Sequence, residues 1–113
     1  MKPGEIYLGR FPFGDFAGMK LRPVLVLSEV VGEPAEVLVA YVSSVLPATT
    51  LPTDIIVDPK LPRDYSTNLK TLSVLRLHKL ATIHKASLVR HLGNLSPETY
   101  ALAQTRLRDW LRL

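Results

Sequence analysis

The sequence predicts a mainly β domain finished by one C-terminal α-helix. Three observations carry that expectation. From Glu5 to about Ile83 the chain is a series of short Val-, Ile- and Leu-rich runs separated by Pro, Gly and Asp. After residue 95 the texture changes to one helical stripe behind a helix-start signal. The length, 113 residues, suits a single domain spanning 1–113, with no repeat, linker or low-complexity tract inside it.

Strands are expected near Glu5–Phe11, Pro23–Val30, Val37–Ser43, Asp54–Val57 and Leu72–Ile83. The intervals hold turn chemistry: Gly14-Asp15-Phe16-Ala17-Gly18, Gly32-Glu33-Pro34, and Pro47 to Pro52. Short strands with regular punctuation suggest a small antiparallel barrel or sandwich rather than βαβ units. A short helical turn is expected around Lys85–His91. Ser96-Pro97-Glu98 then supplies a capping hydroxyl, a proline at the first helical position and an acid in the first turn. Behind it Tyr100, Ala103, Leu107, Trp110 and Leu111 recur at helical spacing as an apolar, core-facing stripe. Arg106, Arg108 and Arg112 read as a solvated face matched to the helix dipole.

Composition narrows the chemistry. Apolar residues make up 47% and charged residues 21%, a globular balance. Without cysteine there is no disulfide, thiol catalysis or thiolate zinc site. No apolar run reaches the roughly 18 residues of a membrane span, and the N-terminus lacks a signal-peptide core, so a cytoplasmic protein is expected. The net charge of +4 is compatible with a polyanionic partner without demanding one. Neither a glycine-rich phosphate loop nor an HExxH helix nor a magnesium-binding aspartate cluster is present, and His78, His84 and His91 are poorly spaced for a local metal site. No metal and no cofactor are therefore expected. Chemistry is left to Arg, His, hydroxyls and backbone amides.

Arg22-Pro23 stands at a loop-to-strand junction, where proline stiffens the base of the arginine and biases it towards an extended backbone. Its guanidinium fork matches phosphate oxygens; the plainer reading is a surface arginine paired with Asp15 or Glu29. Ser43-Ser44 ends an apolar run, where hydroxyls either cap a loop or contact a phosphate. In the Leu72–Ile83 strand, alternation sets Val74, Arg76, His78, Leu80 and Thr82 on one face and Leu75, Leu77 and Ile83 on the other. An arginine there needs an opening to solvent or a ligand, or else an ion pair with Asp54 or Asp58.

These pieces, in order, resemble the MazF/PemK-like toxins of type II toxin–antitoxin systems. GEIYLGRFPFGDFAGMKLRPVLVLS is similar to their N-terminal signature. VAYVSS, LPTDIIVD and SVLRLHKLATIHKASLVRHLGNLSPE resemble later strands, so that nearly the whole chain is covered. The resemblance implies an SH3-like antiparallel barrel with a C-terminal helix, a homodimer and a cognate antitoxin. It implies metal-independent cleavage of single-stranded RNA, with Arg22 as the catalytic arginine and Ser43 at the position of the catalytic hydroxyl. An Arg-x-Asp pair of the PemK branch falls on Arg76 and His78, histidine replacing the acid. In this scheme Arg22 stabilises the phosphorane and Ser43 donates one further bond. His78 serves as base or acid, while Arg76 positions the backbone or shares the acid role. Lys20 and Ser44 contact RNA beside them. The products would be a 2′,3′-cyclic phosphate and a 5′-hydroxyl. Two other readings share the fold: a non-catalytic toxin that binds DNA gyrase through its C-terminal helix, and a degenerate member that binds RNA without cutting it.

Overall fold

A computed structural model describes residues 1–10 and 20–113. Among the described residues six antiparallel strands form one sheet: β1 (Glu5–Arg10), β2 (Leu21–Val26), β3 (Glu36–Ser43), β4 (Asp54–Val57), β5 (Ser73–His84) and β6 (Leu88–Asn94). Their spatial order is β4-β5-β3-β2-β1-β6. One α-helix among the described residues, α1 (Pro97–Leu111), follows β6. The expected Gly14-to-Gly18 turn and Asp15 lie outside the described residues.

The sheet is barrel-like but is not closed by strand pairing. Among the described residues its end strands, β4 and β6, do not pair with each other. A 3-10 turn at Pro62–Thr67, following β4 in the chain, reaches across to β6 instead. Ser66 Oγ donates to the Asn94 carbonyl at 2.8 Å, and Asn68 Nδ2 donates to the Leu92 carbonyl at 2.8 Å. These bonds satisfy backbone carbonyls on an edge that would otherwise invite another strand.

Period-two alternation gives the curled sheet two apolar faces. One core holds Ile6, Leu25, Ala40, Val42, Leu75 and Leu77, and α1 covers it with Ala103, Tyr100 and Leu107. The other gathers Val24, Val26, Val37, Val39, Ile83 and Leu88. The helix starts as its sequence dictates: Ser96 Oγ accepts the Thr99 amide at 3.1 Å, and proline occupies the first turn.

Four expectations need correction. The segment Lys85–His91 is a 3-10 turn only over Lys85–Ser87, after which the chain becomes β6, paired with β1. Leu75, Leu77 and Ile83 do not share a face: Leu75 and Leu77 pack in one core and Ile83 in the other. The cause is a large bulge in β5. Ala40 is opposite Leu80, yet the next residue, Tyr41, is opposite Arg76, so Leu77, His78 and Lys79 stand outside the β3 ladder. Trp110 and Leu111 are half exposed rather than core, and Trp110 meets His78 of β5 edge-on instead of packing inward. Arg106 is not simply solvated, since its Nη1 donates to the Pro52 carbonyl at 2.7 Å and ties α1 to the approach of β4.

Candidate active site

Register lines up the first candidates. Val24 pairs with Tyr41, Tyr41 with Arg76, and Arg76 with Asp54, one row running across β2, β3, β5 and β4. Continuing one two-residue step along β2 and β3 sets Arg22 opposite Ser43, and Ser43 is itself paired with Val74. Arg22, Ser43 and Arg76 therefore occupy one sheet face. Two strand spacings, roughly 10 Å, separate β2 from β5.

Their states differ. Arg22 is half-buried and has no carboxylate partner among the described residues, so the expected pairing with Glu29 does not form. No described residue occupies its donors. Ser43 is buried, at 8% exposure, and its hydroxyl is engaged in its own turn: Oγ accepts the Val45 amide at 3.0 Å and donates to the Val45 carbonyl at 3.3 Å. Ser44, next to it, is exposed and lines a cavity shared with Arg22. Lys20 is exposed at the start of β2.

Arg76 has taken the ion-pair alternative. Its Nε donates to Asp54 Oδ1 at 2.9 Å and its Nη2 to Asp54 Oδ2 at 3.3 Å, a two-point clamp. Burial alone would push the Asp54 carboxyl up. The hydrogen bonds from Arg76 and the Leu51 amide, with the charges of Arg76 and His78, outweigh it and hold the carboxyl below its usual range. Asp58 has a separate role, accepting the Lys60 amide at 3.0 Å.

His78 sits in the β5 bulge, as functional side chains often do where a ladder is interrupted. Its Nδ1 is 2.8 Å from Thr53 Oγ1, and its ring meets Trp110 edge-on with centroids 6.5 Å apart. Burial first, then the Arg76 charge, pushes the imidazole below its ordinary pKa; Asp54 pulls it back and Lys79 adds to the fall. A ring kept neutral near pH 7 can accept a proton. Thr53 is a site-supporting residue that pattern reading missed, while Asp54 is one of the two acids the sequence offers as an ion-pair partner for Arg76. Only Asp54 carried a signal, as an acid within reach of Arg76.

The histidines do not converge. His84 Nδ1 accepts the Ala86 amide at 3.0 Å, while His91 lies beside Asn94, Glu5 and Tyr7. Among the described residues no group of three metal-binding side chains gathers, and no helix is long and apolar enough to cross a membrane.

Comparison with known proteins gives this arrangement a context. No curated protein matches the sequence closely enough to count as a relative. Solved structures match its fold. A Mycobacterium tuberculosis toxin, MazF-mt6, is 23% identical, with a TM-score of 0.73 over 96% of this chain and 97% of that one. An endoribonuclease in complex with its cognate antitoxin, from a mycobacterial species, is 20% identical, with a TM-score of 0.72 over 100% and 96%. MazF from Deinococcus radiodurans is 15% identical, with a TM-score of 0.68 over 100% and 97%. At these identities the likeness is one of fold, the mainly β sheet with a C-terminal helix expected from the sequence. The family model described as PemK-like, MazF-like toxin of type II toxin–antitoxin system matches residues 2–111, nearly the entire chain. The chain belongs to that toxin family.

Proposed function

We propose that the protein is an endoribonuclease toxin that cuts single-stranded RNA without a metal, is held in check by a cognate antitoxin and works as a homodimer in the cytoplasm. The observation that carries the reading is Arg22: a strand-anchored arginine with no carboxylate partner among the described residues, facing the same side as Ser43 and Arg76. The family and the neighbour solved with its antitoxin support the same conclusion.

RNA brings its own nucleophile. The 2′-oxygen attacks phosphorus as its proton passes to a base, the P–O5′ bond breaks, and the 5′-oxygen leaves protonated by water. Arg22 supplies charge-matched donors to the phosphorane. Neutral His78 is suited to take the 2′-proton. Arg76, oriented by Asp54, presents positive charge to the strand, and the hydroxyls of Ser43 and Ser44 border the path of the phosphate backbone. Lys20 attracts RNA.

A second reading, RNA binding without cleavage, draws on two facts: the Arg76 fork is occupied by Asp54 and the Ser43 hydroxyl by Val45. Incubating end-labelled single-stranded RNA with purified protein in EDTA separates the two. Fragments ending in a 2′,3′-cyclic phosphate are expected. Retarded but intact RNA would establish binding alone, and neither outcome would remove RNA as the target. Sedimentation at micromolar concentration should find a dimer.

A further inference from the structure

His78, half-buried in the β5 bulge, is gripped at one nitrogen only. Its Nδ1 lies 2.8 Å from Thr53 Oγ1, and among the described residues no other hydrogen bond reaches the ring. Thr53, at 5% exposure, is itself fixed from two directions. Its carbonyl accepts the Leu77 amide of the bulge at 2.8 Å. On either side of it, the Pro52 and Asp54 carbonyls accept Arg106 Nη1 of α1, at 2.7 Å and 3.4 Å. One helical turn beyond Arg106, on the same helix face, Trp110 meets the imidazole edge-on. Sheet and helix together set the hydroxyl, and the hydroxyl sets the ring. The charges that act on the ring are Arg76 and Lys79 of β5 and Asp54 of β4.

The direction of the Thr53–His78 bond follows from what a base must do. An imidazole that has taken a proton carries hydrogen on both nitrogens, so Nδ1 must then donate to Thr53 Oγ1. The same direction in the neutral ring leaves the lone pair on Nε2, and proton uptake needs no turn of the hydroxyl. A threonine oxygen accepts such a bond without the negative charge a carboxylate would bring.

We propose that Thr53 is a positioning residue: its Oγ1 accepts the Nδ1–H bond of His78 and so makes Nε2 the atom that takes the 2′-proton of RNA. The Nδ1 proton stays on the ring throughout. The inference rests on the endoribonuclease reading and deepens it. Thr53 touches no reacting atom and acts through the ring.

Long-range ¹H–¹⁵N spectra of the full chain, ¹⁵N-labelled at histidine, report which ring nitrogen carries the proton. His78→Ala assigns the signals, and single-turnover cleavage at saturating enzyme is measured alongside. The parent His78 should be the Nδ1–H tautomer at pH values above its midpoint. Thr53→Val keeps the shape and loses the hydroxyl. It should mix the tautomers and move the midpoint to lower pH, because the charged ring loses its Nδ1 acceptor. Its saturating rate should fall by up to about tenfold, the worth of one hydrogen bond, with little change in KM. Thr53→Ser should restore tautomer, midpoint and rate. An Nε2–H ring in the parent, a result that needs no variant to fold, would overturn the proposal and leave the ribonuclease standing. So would an unmoved tautomer and midpoint in folded Thr53→Val, whatever its rate. A mixed tautomer with the parent rate would overturn the role in cleavage. Spectra as expected, with no cleavage by the parent, would overturn the ribonuclease and keep the assignment of the ring.

Discussion

Arg76 and Asp54 face each other on neighbouring strands and are joined by two hydrogen bonds, 2.9 Å and 3.3 Å long. The carboxylate is fully shielded from solvent, the guanidinium only partly so. Asp54 Oδ2 also accepts the Leu51 amide at 2.9 Å, so a single side chain closes the turn into β4 and aims the arginine.

Asp54→Asn should destabilise the protein by up to about 3–5 kcal/mol, towards the lower end because Arg76 keeps access to water. The pH dependence follows from a carboxyl held below its usual value: its stabilisation is complete above about pH 4, the unfolded value, and is lost as pH falls through the lower folded value. Urea unfolding from pH 2 to 7 should show a shallower acid loss in the variant. An unchanged acid limb would mean the pair contributes nothing.

His78 should set the acidic limb of the cleavage profile. With its pKa pushed down by burial and by Arg76, the saturating single-turnover rate should rise through an inflection below the ordinary value of about 6.5. His78→Ala should lose most activity. His78→Asp should retain some and flatten the limb, since aspartate stays ionised over that range. A His78→Ala enzyme with the parent rate at saturation would confine the ring to contacting RNA.

Replacing Arg22 by Ala should lower the cleavage rate by about 10²–10³-fold or more, the usual loss for a transition-state donor. Its stability should stay within about 0.5 kcal/mol of the parent, because no ion pair with a described residue is broken. Arg22→Lys should recover little, lacking the planar fork. Parent-like cleavage by folded Arg22→Ala would make this residue an ordinary surface charge.

Gly93 and Gly9 offer a contrast in stability. A Cβ on Gly93 would collide with the Ser66 carbonyl oxygen and lie 2.7 Å from the Thr67 carbonyl carbon and oxygen, backbone that closes the sheet and cannot swing aside. Gly93→Ala should therefore cost about 1–3 kcal/mol or more in thermal or urea unfolding. At Gly9 the nearest atom, at 2.7 Å, is Leu88 Cδ2, the end of a flexible side chain. Gly9→Ala should cost less, and equal losses would contradict this account.

What the sequence determined by itself lies where local chemistry suffices. Apolar runs bounded by turn residues foretold β1 to β5, though with ends displaced by a few residues in β2. Ser96-Pro97-Glu98 announced α1 because capping is decided within three residues. The type and order of the motifs were enough to indicate the toxin family, and the position of Arg22 before a proline was readable for the same local reason. Tertiary structure decided the rest. In β6, Leu88 and Leu92 stand four apart and imitate a helix, while two register shifts against β1 erase the period of two. Only pairing with a strand about eighty residues away makes this segment extended. The bulge in β5 likewise has no local mark, yet it turns Ile83 to the opposite core from Leu77 and brings His78 to Thr53 and Trp110. Alternation cannot count residues that drop out of a ladder. Whether Arg22 and Arg76 meet carboxylates was equally beyond sequence reading, since ion pairs depend on which strands lie side by side: β4 lies against β5 and gives Arg76 its Asp54, while no carboxylate among the described residues reaches Arg22.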